Sequence, residues 1–475
     1  MKAAGEPVEA MPAQRALRDL WSAAGLTAEE LVRATLTGDE PALPSSFRVG
    51  TAAQASIAAA ALAATEVGRQ RNRVVQKLAV DKRHAALECC TWFRLDGTAP
   101  SIWDPLSALY PCGGDDGADG WVRIHANFAH HRDTALRVLG LPSGESATQA
   151  DVRRALQHWR ALDFEQAAAE AGAVVAALRR FDEWDAHPQG LAVAALPLLQ
   201  MERIGDAPPR RWPALAAAQR PLTGLRVLDL TRILAGPVGT RALAAYGADV
   251  MLVNAPHLPN ISAIADTSRG KLSAHADLRQ PADRAAFDAV LRDAHVLVQA
   301  YRPQSLQALG YGATQLAAKS PGIVVVSLSA YGAAGPWAGR RGFDSLVQTA
   351  TGFNHAEAQA FGSGPPRALP MQILDHASGY MIALGACAAL LRQQRDGGSW
   401  HVQVSLARTG LWLRGLGRLP GGFAAPAGDF APYAEITASG FGTLQALRHA
   451  AVLSPTPAAW TRPSMPPGSH PLAWP

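Results

Sequence analysis

The sequence predicts an α/β protein: a Rossmann-like parallel sheet with helices on both faces, filling the second half of a 475-residue chain. From residue 225 onward, short β-rich apolar runs alternate with helix-like segments, and that alternation builds parallel sheets. The runs are almost continuously apolar, as strands become when both faces are covered. Ahead of them, "GDAPPRRWPALAAAQRPLTG" (205–224) is Pro-rich and reads as a linker from a differently patterned first half.

The elements follow in order. Residues 13–36 read as two short helices, with Thr27 as a cap and Glu30 three residues on. "GTAAQASIAAAALAATEVGRQR" (50–71) has a strong helix pattern, and "VVQKLAVD" after it reads as a strand. "GGDDGADG" (113–120) is a turn-rich hinge, "WVRIHANF" a strand, and 146–185 helical. Beyond the linker, "LRVLDL", "ADVMLVN", "HVLVQAY" and "GIVVVSLSAYG" are the strands of the sheet. Helices are expected near 238–246, 280–293 and 304–319. "QILDHASGY" (372–380) then sets Asp375 between a strand-like run and a helix over 376–395, followed by the turn "RDGGS" and the strand "WHVQVSL".

Composition excludes several classes. With 48% hydrophobic and 17% charged residues the chain is globular, not disordered. A net charge of +5 is thin for this length, and no basic run carries interleaved aromatics, so nucleic acid is not expected. Cys89, Cys90, Cys112 and Cys387 show no CxxC spacing, which argues against a disulfide framework or a metal site. The N-terminus lacks the apolar core of a signal peptide. The Ala-rich stretch 56–65 is too short to span a bilayer. A soluble cytoplasmic protein with no membrane partner is the expectation.

An internal repeat is visible. Residues 49–71 align without gaps under 373–395, and "LAVD" then falls under "VQVS". In this register Thr51 stands where the second copy has Asp375. Aspartate before a helix is most simply a cap. Threonine caps as well, so capping does not require the acid, and the contrast points to chemistry at Asp375.

The stretch "LDLTRILAGPVGTRALAAYGADVMLVN" is a βαβ unit without GxGxxG, so a dinucleotide is not predicted. Its loop, Thr231 to Pro237, lies at the carboxyl end of a strand, where open α/β sheets bind ligands. This stretch resembles the opening of the class III (CaiB/BaiF-type) CoA-transferase family, which also includes racemases. So do "SRGKLSAHADLRQPADRAAFDAVLRDAHVLVQAYRPQSLQALG", "VVSLSAYGAAGPWAGRRGFDSLVQTATGF" and "DHASGYMIALGACAALLRQQRDGGSWHVQVSL". The resemblance runs from about 222 to 410.

It implies that Asp375 is the nucleophile that attacks an acyl-CoA thioester and later carries CoA as an aspartyl thioester. It implies CoA contacts at Arg232, Ile233, Leu234 and Ala235, at Arg269 and Lys271 in the turn Ser268-Arg269-Gly270-Lys271, and at Tyr301-Arg302-Pro303. Tyr331 and Gly332 match family residues near the thioester. Acyl-CoA and a carboxylic acid are then substrates, with no permanently bound cofactor, and a homodimer is implied.

The chain also departs from the family. Asn254 replaces a glutamate, and Gln299-Ala300-Tyr301 replaces "ENF". The racemase branch has a histidine where Phe343 stands in Gly342-Phe343-Asp344, which argues against racemisation. Asp344 reads as structural. The smaller α+β domain of the family has its match at 120–193, ahead of the catalytic half. The predicted organisation is therefore a permuted partial duplication: a degenerate copy over 1–210 with the small-domain-like region, and a Rossmann-like catalytic half over 222–475. "RLPGGF" (418–423) is the one candidate for a glycine loop over the acid. The alternatives left open are another CoA-linked enzyme (lyase, dehydratase or racemase) and a non-catalytic CoA-binding subunit.

Overall fold

The structure, a computed structural model, describes residues 12–114, 117–302, 304–426 and 428–475. The N-terminal expectation for residues 1–11, Asp115 and Asp116 of the hinge, and Pro303 lie outside the described residues.

Among the described residues the largest sheet has seven strands, with helices flanking it. Their order is Lys271–His275, Asp249–Asn254, Arg226–Leu230, Val296–Gln299, Val324–Ser329, Ser399–Ser405, Gln200–Gly205. All pairs are parallel except the last, which is antiparallel. The apolar runs of the second half form five of these strands. The two edge strands did not announce themselves. "KLSAH" carries a buried lysine in place of an apolar run, and "QMERIG" is half solvent-facing and comes from before the linker. The helix expected over 304–319 is broken into Ser305–Ala308 and Ala313–Lys319 by Gly310, whose φ is +85°.

Two local expectations are corrected. Thr27 makes no side-chain cap bond; Ala28–Arg33 is a 3-10 turn and Ala34–Thr37 a strand. The apolar run before Asp375 is not a strand. The helix begins at Ile373 and continues to Asp396.

The repeat is a structural one. The helix Val49–Asn72 and the helix Ile373–Asp396 each have 24 residues and pack against one another inside one core. Each is entered from a residue of nearly the same conformation: Arg48 at φ −77°, ψ 55°, and Gln372 at φ −80°, ψ 63°. Each is left through a residue of positive φ at the matching position, Arg73 at φ +63° and Gly397 at φ +66°. The strands Lys77–Asp81 and Ser399–Ser405 follow in the same register. Asp81 then caps one helix by accepting the His84 N–H, and Ser405 caps the other by accepting the Arg408 N–H.

The halves exchange strands. Lys77–Asp81 pairs with Ala34–Thr37 in parallel and with Ala451–Ser454 antiparallel. Ser399–Ser405 pairs with Val324–Ser329 in parallel and with Gln200–Gly205 antiparallel. Each antiparallel neighbour comes from the opposite half of the chain. A buried charge network ties the halves further: Glu88 accepts from Tyr380 Oη at 2.6 Å, the Ala450 N–H at 2.7 Å and Arg241 at 3.3 Å. Arg241 also pairs with Asp266.

The helix Ile373–Asp396 is long and apolar enough to cross a bilayer, but its most apolar stretch is wholly buried, as in a core helix. It crosses the helix Ala235–Ala245 at a glycine contact. A Cβ on Gly379 would sit 2.5 Å from the Ala235 carbonyl, and one on Gly239 would sit 2.5 Å from the Gly379 carbonyl. Only glycines permit this approach, and it sets the start of the helix beside the loop after the first strand of the second half.

A smaller sheet, Leu109–Pro111, Trp121–Ile124 and Val175–Ala177, has its own core around Tyr110, Val122 and Phe164. This α+β unit lies between the strand Lys77–Asp81 and the linker in sequence. It supplies one wall of the site described next.

Candidate active site

Asp375 is the third residue of its helix, not the cap. Its own N–H donates to Asp344 Oδ2 at 2.9 Å, so Asp344 closes the helix start while the Asp375 carboxylate is left to face the cavities. Asp344 is completely buried and also accepts from Gln348 Nε2. Burial pushes Asp344 up to about 7. Burial, and then the charge of Asp344, raise Asp375 well above the usual carboxylate range. The helix N-terminus favours the ionised form, but desolvation and the neighbouring acid oppose it.

Asp375 lines two cavities at once. The larger has a volume of about 400 Å³ and brings together Arg232, Arg302, Arg340 and Arg341, with His130 and His131 on its small-domain side. The smaller, about 160 Å³, is walled by Trp103, Ile102, Ile261 and Met371, with His125 among them. Ile233, Leu234 and Phe343 border both. The residues from 102 to 131 belong to the first half of the chain and Asp375 to the second, so the site is composite.

The loop Thr231–Leu234 is fastened from below. Asp229 Oδ1 accepts from the Thr231 N–H at 2.9 Å and from its hydroxyl at 2.5 Å. Ile233 then takes φ +76°, a strained value for a β-branched residue and one that clusters at functional sites.

Of the residues named from the sequence, Arg232, Ile233, Leu234, Ala235, Tyr301 and Arg302 line the larger cavity with Asp375. A third cavity of about 230 Å³ adjoins it through Tyr301 and Arg302. Three expectations are corrected. Lys271 Nζ donates to Asp229 Oδ2 at 3.0 Å, Thr240 Oγ1 at 2.8 Å and the Pro237 carbonyl at 2.9 Å, which uses all three donors inside the core. Arg269 is buried between Asp266 and Glu435, 3.8 Å from the Trp460 ring. Tyr331 is buried against Trp337 and lines neither cavity with Asp375, although Gly332 borders the third. "RLPGGF" does not cover the acid; it lies against the first half, where the Leu419 N–H donates to the Ser46 carbonyl. His376 turns away, its Nε2 2.8 Å from Thr91 Oγ1.

Sequence reading missed Arg340, Arg341, Trp103, His125, His130 and His131. The paired arginines in "GRRGFD" and the paired histidines in "NFAHH" were the available signals. The first copy has no comparable site. Thr51 is fully buried, and its N–H and hydroxyl both donate to Glu40 Oε1, at 2.7 and 2.8 Å. Glu40 therefore holds the first helix start as Asp344 holds the second.

Fold and site together define a class: an α/β protein that presents a buried carboxylate at a helix start to an arginine-lined chamber. Residues 222–417 match the family model for CoA-transferase family III. An acyl-CoA transferase of Gibberella moniliformis is 30% identical over 60% of this chain and 53% of its own length. A probable fatty acyl-CoA transferase of Mycobacterium tuberculosis is 33% identical over 39% of this chain and 50% of its own. An acetyl-CoA:oxalate CoA-transferase of Acetobacter aceti is 32% identical over 40% and 52%. The chain thus spans about half the length of these relatives. A crystal structure of a CaiB/BaiF family protein from Brucella suis is 24% identical, with a TM-score of 0.37, covering 47% of this chain and 65% of that one.

Proposed function

We propose that the protein transfers coenzyme A between carboxylic acids, with Asp375 as the covalent carrier. The observation that carries this reading is a buried, unbonded carboxylate on the wall of a chamber whose other charged groups are arginines. Arg232, Arg302, Arg340 and Arg341 suit the phosphates of CoA, since guanidinium groups bind phosphate oxygens through paired N–H donors.

The steps balance as follows. A carboxylate oxygen of Asp375 attacks the thioester carbonyl, forming a C–O bond and expelling CoA thiolate, which leaves a mixed anhydride. The thiolate attacks the aspartyl carbonyl of that anhydride and releases the donor acid as its carboxylate. The acceptor carboxylate attacks the aspartyl-CoA thioester, freeing thiolate and forming a second anhydride. Attack of thiolate on the acceptor acyl carbonyl yields the new acyl-CoA and restores Asp375. No proton or external oxidant is required. A carboxylate is a weak nucleophile, and exclusion of water with fixed positioning is what makes such a step competent. Phe343 and Leu234 beside Asp375 are suited to that exclusion.

A single chain carries both walls of the site, so we propose that a monomer suffices and that the homodimer implied by resemblance is not needed to build it. Light scattering should give a mass near 50.0 kDa for an active sample. The reaction is tested by intact-mass spectrometry of the chain with a panel of acyl-CoAs. A CoA-thioester or acyl adduct that maps to Asp375 is expected, and hydroxylamine should remove it. An unmodified chain with every donor would overturn the reading.

A further inference from the structure

The two cavities that meet at Asp375 differ in charge, and the difference bears on the acyl group. The larger is lined by four arginines. Among the described residues lining the smaller there is no lysine or arginine. Its single imidazole, His125, is 3% exposed, and burial together with His131 and Arg123 pushes it down to about 3, so it is neutral at physiological pH. Its Nδ1 is buried and has no hydrogen-bond partner. The ring is fixed edge-on against Phe343 with centroids 3.7 Å apart, which holds it at the wall that Phe343 shares with Asp375. Ile102, Ile261, Met371 and the Trp103 ring add apolar wall, Gln372 adds an uncharged amide, and Cys90 is pushed up to about 12 by burial and stays a thiol.

Resting on the transferase reading, we propose that the smaller cavity is the acyl chamber, and that it takes uncharged monocarboxylic acyl groups bearing a hydroxyl or oxo substituent bonded by His125. A second carboxylate on the acyl group would lie in this chamber with no cation to meet it, and an unpaired buried charge is strongly disfavoured. A neutral hydroxyl or carbonyl oxygen has a ready partner. A buried polar atom without a bond is uncommon in a folded protein, and His125 Nδ1 has a natural explanation if a substrate group completes it. Asn127, which also lines the chamber, is not available: its Oδ1 accepts from the Asp104 N–H at 3.0 Å and from the Ser107 hydroxyl at 2.7 Å, and its Nδ2 donates to the Ile102 carbonyl at 3.0 Å. Thr91 Oγ1 is engaged by His376. His125, with its unpartnered buried nitrogen, is the specificity residue of this proposal, the Gln372 amide being the other polar side chain on the wall, and the charge segregation tells the two ends of acyl-CoA apart.

The test uses the full chain with butyryl-CoA, 3-hydroxybutyryl-CoA and succinyl-CoA, scored by adduct mass at Asp375 and by kcat/KM for exchange. Butyryl and 3-hydroxybutyryl donors should both label, with the hydroxylated one favoured by ~10-fold, the worth of one neutral hydrogen bond. Succinyl-CoA should be poorer by at least ~100-fold. His125→Phe should erase the hydroxyl preference, read as the ratio of the two donors. Ile102→Arg, at a half-buried position, should raise succinyl-CoA relative to butyryl-CoA if the variant folds by circular dichroism. Parity of succinyl-CoA with butyryl-CoA in the wild-type chain overturns the chamber assignment alone. A hydroxyl preference that survives His125→Phe overturns the role given to His125. Failure of every donor to label Asp375 overturns the transferase reading itself.

Discussion

The two copies of one helix–strand–helix unit lie side by side in this protein, and they differ at the residue that matters. Both helices run for 24 residues, start from nearly the same backbone conformation and end at a residue of positive φ. Both have the third N–H held by an acidic side chain reaching in from elsewhere, Glu40 for Thr51 and Asp344 for Asp375. In the first copy the hydroxyl of Thr51 turns onto that same acid and the position closes. In the second, a carboxylate stands beside a carboxylate, cannot share its bond, and faces the cavities instead. A helix start can thus be closed off or left facing a cavity by one side chain without changing its backbone. Burial first, and then the acid that holds the start, make the second acid costly to ionise.

The largest effect that sharpens this contrast is expected for Asp375→Asn. It should lower exchange by roughly 10⁴-fold or more, as loss of a covalent nucleophile does, with little change in stability. The reciprocal change, Thr51→Asp, should give no second labelling site in peptide mass maps. Activity restored by Thr51→Asp in an Asp375→Asn background would break the comparison.

Next in size is Glu88→Gln, which removes the acid joining Arg241, Tyr380 and the Ala450 N–H across the halves. Leaving Arg241 short of a partner should cost about 3–5 kcal/mol in denaturant unfolding. The pH dependence has a definite sign. Burial opposes ionisation of Glu88, but His449, Arg241 and Tyr380 overcome it and bring the group down to about 2 from an ordinary 4.5. Its stabilisation is complete above the ordinary value and is lost as pH falls from about 4.5 towards 2. The variant should lack that part of the acid limb.

Asp344→Asn is smaller and more diagnostic. On the proposed mechanism Asp375 must be ionised to attack, and its raised value is due to burial and then to Asp344. Activity should therefore fall as pH falls through that raised value, and removing the Asp344 charge should move the acid limb of kcat/KM to lower pH. Because Asp344 is itself pushed to about 7, its charge is present only near and above neutrality, and the gain should be largest there. A residue acting only as a helix cap would lower stability and leave the limb in place.

The smallest change tests the shared backbone. Arg73 and Gly397 occupy matching positions of positive φ, and only the second copy has the glycine. Arg73→Gly should stabilise by about 1 kcal/mol, the usual relief for a side chain at positive φ. Thermal unfolding measures it.

Much of the fold was legible because burial on both faces writes itself into sequence as continuous apolar runs. The edge strand Lys271–His275 was not, because its inward lysine is neutralised by Asp229 and reads as a surface turn. For the same reason Lys271 and Arg269 looked available for phosphate and proved to be internal. Asp375 and the loop from Arg232 to Ala235 were legible because each is a short local motif. His125, Trp103 and His131 were not, because their partners lie in the other half of the chain. Only the strand exchange brings them together.

That exchange also changes how the protein can vary. In a symmetric pair of identical chains each substitution appears twice, so neither centre can decay unless its twin decays with it. Here every position exists once. A change on the Thr51 side leaves the Asp375 side as it was, and a loss in one half is not copied into the other.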